Sequence, residues 1–296
     1  MTQFDPVFLA IANLGVLIFI IASMLGMGFN LTIPQILAPL KNRKLVIMAL
    51  VANFVVVPVL ALLIVWIIPL SEGLQIGLIL VGFAAGAPFL PKLVQLAKGD
   101  MAFTAGLMVL LMVISIAFLP IVLPFVLPGV QVSPWEISKS LIVLMLIPLA
   151  LALFIRARYE EVATGLVHTM TMAANLSLAA MFIGYFVAYF DESFGILGTG
   201  GVLAAVLLVI GAVLTGFLLG GTNKEIKKVL ALGTGQRNLA AAFAIATSNF
   251  AANPDVVLEV MDVAVIGFIL LMVIAGELGR RSARGAGKGL KAAVRD

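Results

Sequence analysis

Arg237 stands in "GTGQRNLAAAFAI", residues 233–245, with no other charge between Lys228 and Asp255, and Lys92 follows "GAPFLP" in a similarly apolar run. A guanidinium is permanently charged and can hold a carboxylate, phosphate or sulfate through two parallel hydrogen bonds. An ammonium group out of water gives up its proton more readily, which makes Lys92 the candidate for proton coupling. Either cation would draw an anion into apolar surroundings. Thr234, Gln236 and Asn238 flank Arg237, and Pro91 precedes Lys92, so these four join the two cations as candidate substrate contacts. Glu259 and Asp262, spaced i and i+3, lie at a depth comparable with Arg237 and offer a second reading, a buried ion pair that is only structural. No acid is evident at the depth of Lys92.

The elements that position these residues follow from composition. Of 296 residues, 63% are hydrophobic and 11% charged, with a mean hydropathy of +1.23, far from a soluble domain and typical of a chain that crosses the bilayer repeatedly. There is no cysteine and one histidine, so neither a disulfide framework, a thiolate site nor a His-rich metal cluster is expected, and no metal or cofactor is assigned. A spanning helix needs about 20 mostly apolar residues. On that basis nine candidates run over 8–29, 43–69, 73–98, 101–127, 135–157, 163–190, 196–221, 225–249 and 254–278.

Fifteen of the eighteen Lys and Arg residues fall in alternate connections: Lys41, Arg43 and Lys44; Lys98; Arg156 and Arg158; Lys224, Lys227 and Lys228; and Arg280, Arg281, Arg284, Lys288, Lys291 and Arg295. The positive-inside rule makes those connections cytoplasmic, with the N-terminus outside and the C-terminus inside an inner (plasma) membrane. The opposite loops carry Glu72, Asp191, Glu192 and Asp255. "MTQFDP" lacks a positive leading region, so the first apolar run reads as a retained helix.

Lys92 and Arg237 each sit beside helix breakers, Gly86, Pro88 and Pro91 in one case, Gly233 and Gly235 in the other. The third and eighth spans are therefore expected to break near mid-membrane, and such breaks must be buried or line a watery cavity. Broken helices at corresponding places in two halves point to an inverted-repeat transporter, here four plus five helices. The fold class expected is an all-α integral membrane protein with nine transmembrane helices.

The segments "LGMGFNL", "ILVGFAAGAPFLPKLVQLAKGD" and "GTGQRNLAAAFAIATSNFAANP" resemble the bile acid:sodium symporter family in its nine-helix form. The resemblance implies a panel domain (8–29, 135–157, 163–190) and a core domain (43–127 and 196–278) whose two discontinuous helices cross. Substrate, a small or amphipathic organic anion carried with sodium, would bind between the domains and move by alternating access. Where the family reads Glu-x-Gly-x-Gln-Asn, this chain has Gly233, Gly235, Arg237 and Asn238; where it has Ser-Asn, this chain has Leu90 and Pro91, followed by Lys92. Of the other expected ion ligands, Thr104 keeps a hydroxyl, Met108 does not, and Asn53 keeps a carbonyl. A hard cation wants several oxygens, so Lys92 and Arg237 are read as built-in cations in place of sodium, which leaves sodium-coupled transport in question.

His168, Thr169, Thr171 and Asn175 could line the panel side of a cavity or serve only helix packing. The basic tail, 280–296, reads as an anionic-lipid contact or a disordered terminus, so the partners expected are the organic anion and the bilayer and not nucleic acid. An enzyme is not expected, because no nucleophile–base or metal constellation is present. A sodium-independent auxin-carrier-like carrier and an anion channel are the alternatives, and the oligomeric state is left open.

Overall fold

The computed structural model describes residues 5–37, 41–127, 133–190 and 198–293. Asp191, Glu192, Arg295 and the first four residues lie outside the described residues. The elements are α1 (Asp5–Asn30), α2 (Ile33–Leu37), α3 (Arg43–Ile67), α4 (Glu72–Phe83), α5 (Leu90–Ala97), α6 (Met101–Val126), α7 (Pro134–Arg158), α8 (Glu160–Ala188), α9 (Gly201–Leu219), α10 (Lys224–Gly235), α11 (Leu239–Asn249) and α12 (Pro254–Ala293). No strand occurs among the described residues. Among the described residues seven helices, α1, α3, α6, α7, α8, α9 and α12, are long and apolar enough to cross a membrane. Their large side chains on the outside, among them Trp66, Phe125, Phe154, Leu176 and Leu218, are exposed apolar surface of the kind that faces lipid.

The two remaining expected spans are not continuous helices. In 73–98, α4 stops at Phe83, Ala84 is extended, and Gly86 takes φ +82, a left-handed value that suits glycine. Pro91 then occupies the first turn of α5, where its missing N–H is not needed. In 225–249, α10 ends at Gly235, Gln236 is extended, and Asn238 caps α11 by accepting a hydrogen bond from the Ala241 N–H. The segment expected as a basic tail continues α12 as helix to Ala293 instead of leaving it at 278.

Small residues let the helices approach. An ideal Cβ on Gly15 of α1 would meet the Ser177 carbonyl of α8 at 2.9 Å, and one on Gly184 of α8 would meet Phe8 O at 2.8 Å. The Tyr185 hydroxyl donates to Asn13 Oδ1 across the same pair at 2.7 Å. Helix α7 also packs along α1, whereas α12 packs against α4, α5 and α9, and α9 lies against α3 and α10. Single π-helical turns interrupt α3 at Ala52–Val56 and α7 at Ile142–Leu146. The first of these carries Asn53 into the interior.

Candidate functional site

The two breaks meet. The Asn238 N–H donates to Ala84 O at 3.0 Å, and its Nδ2 donates to Ala85 O at 3.3 Å. From α6, the Ser115 hydroxyl donates to Ala85 O (2.9 Å) and accepts from the Ala85 N–H (2.8 Å). These bonds take up the backbone groups that an interrupted helix leaves open, which hydrocarbon could not do. Ser115 was not among the residues expected from sequence. Its only signal there was a single hydroxyl in "LLMVISIAFLP", and such a hydroxyl commonly bonds its own helix.

Arg237, 3% exposed, lies at this crossing. Its Nε donates to Val81 O (3.2 Å) and Nη2 to Gly82 O (2.7 Å), both in the last turn of α4. Its Nη1 donates to Thr234 O (3.2 Å), in the last turn of α10, and to Asn53 Oδ1 (2.9 Å). Asn53 is fixed in turn by donating Nδ2 to Ala49 O and to the Thr234 hydroxyl. A helix C-terminus carries roughly half a negative charge. Two such ends converge on one guanidinium, so their partial charges balance it without a carboxylate.

That arrangement corrects the ion-pair reading. The salt bridges among the described residues are Arg156–Glu160, Arg280–Glu277 and Arg281–Glu277, and Arg237 is paired with neither Glu259 nor Asp262. Position along the sequence does not fix the direction of the side chains. Thr104 is buried, and its hydroxyl donates to Asp100 O in the first turn of its own helix.

A cavity of about 740 Å³ lies beside the crossing, between α1 and α8 on one side and α5, α11 and α12 on the other. It extends from Phe19 and Phe182 to Asn30, Leu31 and Val167, the end of the molecule that also bears Arg43, Lys44, Arg156 and Arg158. Pro91, Lys92, Gln236 and Arg237 line it from the broken helices, and Thr171 and Asn175 line it from α8. Asn53, Thr104, Thr234, Asn238, Glu259 and Asp262 do not, nor do His168 and Thr169, which are exposed elsewhere. Lys92 is exposed, with Nζ 5.4 Å from the centre of the Phe89 ring. The desolvation expected of it is therefore missing, because its helix begins at the cavity wall.

Residues 17–198 match the model of the sodium bile acid symporter family, 182 positions in a chain of 296. The chain belongs to the sodium bile acid symporter family. An uncharacterized sodium-dependent transporter of Bacillus subtilis, YocS, is 24% identical over 79% of this chain and 74% of its own length. A probable chloroplastic sodium/metabolite cotransporter of Arabidopsis thaliana, BASS1, is 24% identical over 88% of this chain and 65% of its own length. Membership makes the chain a multi-pass membrane transporter, consistent with its seven continuous apolar helices.

For a member of the sodium bile acid symporter family, the oxygens at the crossing bear directly on sodium. Val81 O, Gly82 O, Thr234 O and Asn53 Oδ1 are uncharged oxygen donors of the type a hard cation takes, and all four already accept from Arg237.

Proposed function

We propose that the chain is a secondary carrier of a small or amphipathic organic anion, working by alternating access without sodium. The cavity beside the crossing carries this reading: its wall is mostly apolar, Lys92 is the exposed charge on it, and none of its described lining residues is acidic. Such a wall suits a ligand with an apolar body and one anionic group. In this reading Arg237 is a fixed cation that holds the crossing, while Lys92 meets the anion. Gln236, Pro91 and Asn175 contact the rest of the solute. The panel, 8–29, 135–157 and 163–190, rocks against the core, 43–127 and 196–278, and exposes the cavity to either side of a plasma membrane in turn. The N-terminus lies outside and the basic connections lie in the cytoplasm, which makes the cavity cytoplasmic in this conformation.

Taurocholate, an amphipathic anion, is expected to raise the apparent Tm of the purified protein, and a cation of similar bulk is not. Lys92→Gln removes a charge-assisted contact worth about 1.5 kcal/mol, so taurocholate affinity is expected to fall roughly tenfold. The Tm of the ligand-free variant should stay unchanged, because the Lys92 side chain is exposed and holds no ion pair among the described residues. Equal stabilisation by anion and cation, or unchanged affinity in Lys92→Gln, would remove this reading.

A further inference from the structure

We propose that Glu259 is a proton-binding site and that the carrier uses the proton as its coupling ion where relatives use sodium. The inference rests on the sodium-free reading above and adds what drives the cycle. Glu259 is fully buried, and neither carboxylate oxygen has a hydrogen-bond partner. It sits in the helix-packing seam of α12 on α4: an ideal Cβ on Gly77 would lie 2.6 Å from Glu259 Cβ and 3.1 Å from its Cγ. Asp262, one turn further along α12, is half-buried, and its Oδ2 is also buried without a partner. Glu259 and Asp262 share one face of α12, while Val263 and Ala264, about 100° and 200° round the helix from Asp262, line the cavity on another side.

Among the described residues, no element packed on α12 places a counter-charge on Glu259. Helix α4 carries Glu72 at its far end, α5 carries Lys92 at the cavity wall, and α9 and α11 carry no charged residue. Helix α10 carries Lys224, Glu225, Lys227 and Lys228 at its distant start, and Arg237 in the following link is held by carbonyls. On α12 itself Asp255, Asp262, Glu277, Arg280 and Arg281 remain, with Arg284, Lys288 and Lys291 more than about 35 Å further along the helix axis, and no ion pair to Glu259 occurs among the described residues. An isolated ionised carboxylate in such surroundings is too costly to persist, so this conformation keeps Glu259 neutral by a proton. A proton needs one oxygen; a sodium ion needs several, and no second oxygen is hydrogen-bonded to this carboxyl group.

Release of the proton requires a place for the charge. The carbonyls of Val81 and Gly82 that hold Arg237 lie about one turn, roughly 6 Å, along α4 from Gly77. A small slide of α12 on α4, across a contact kept smooth by Gly73 and Gly77, would bring the ionised carboxylate towards the guanidinium. Protonation thus favours the conformation described here, and deprotonation favours the other.

The chain has no cysteine, so a single Asn175→Cys in the cavity wall reports access without background. The measurement is its rate of labelling by a membrane-impermeant maleimide in inside-out vesicles, divided by that of an exposed Glu161→Cys control to cancel the pH dependence of thiol reactivity. The ratio is expected to fall several-fold from mildly acidic to mildly alkaline pH. It should become flat in Glu259→Gln, and equally in Glu259→Met should the first variant fold poorly. A pH-independent ratio in the parent, or the same profile in both Glu259 variants, overturns the proposal, as does a ratio that follows sodium and loses that dependence in Glu259→Gln. Failure of the anion-carrier reading looks different: taurocholate would not bind, while the pH-dependent labelling remained.

Discussion

Arg237→Met is expected to lower the apparent Tm of the ligand-free protein by on the order of 10 °C and to abolish transport. The guanidinium donates four hydrogen bonds to oxygens of α3, α4 and α10, at a place 3% exposed. Its loss brings the negative ends of α4 and α10 together with no cation between them and leaves buried acceptors unsatisfied. Removing one side of a buried charge-assisted arrangement typically costs about 3–5 kcal/mol. Val81 O keeps one bond, from the Ala84 N–H, so the cost falls mainly on Gly82 O, Thr234 O and Asn53. Adding Asp262→Asn should recover none of the loss, because Asp262 is not the partner. Scanning fluorimetry on the single and double variants checks both statements. Recovery in the double variant would reinstate the ion pair.

Gly86→Ala is expected to prevent the native crossing from forming, with little folded protein recovered from the membrane. Gly86 holds φ +82, where a side chain is strained by about 1–2 kcal/mol. An added Cβ would run into the Met112 backbone nitrogen and come within 2.7 Å of Met112 Cα and 2.8 Å of the Leu111 carbonyl carbon. These are backbone atoms of α6, which cannot rotate aside as a side chain does, so the overlap adds a cost on the scale of several kcal/mol. Size-exclusion chromatography of the detergent extract reads the outcome. A monodisperse Gly86→Ala protein with an unchanged Tm would show that the first break has a different shape.

Much of the architecture was legible because the bilayer constrains it. Runs of apolar residues gave the spans, and Gly86, Pro88 and Pro91 in one stretch, Gly233 and Gly235 in another, gave the breaks. Thr234, Arg237 and Asn238 do come together at the break, and they are joined by Asn53, a position marked by the family resemblance alone. The partners of Arg237 could not be read in the same way, since they are mostly carbonyl groups of Val81, Gly82 and Thr234, and backbone leaves no mark in a residue pattern. An acid at the right depth was the visible partner, yet Glu259 faces Gly77 and not the crossing. Lys92 was legible as an intramembrane cation but not as an exposed one, because exposure depends on a cavity formed by helices distant in sequence.

The most direct test of the built-in cation is the binding of taurocholate to the purified protein in sodium and then in potassium at equal ionic strength and pH. If Arg237, fixed on four oxygens at the crossing, serves in place of sodium, the two affinities are expected to coincide. An affinity that rises clearly in sodium would mean that a cation site forms beside the guanidinium, and would contradict the account.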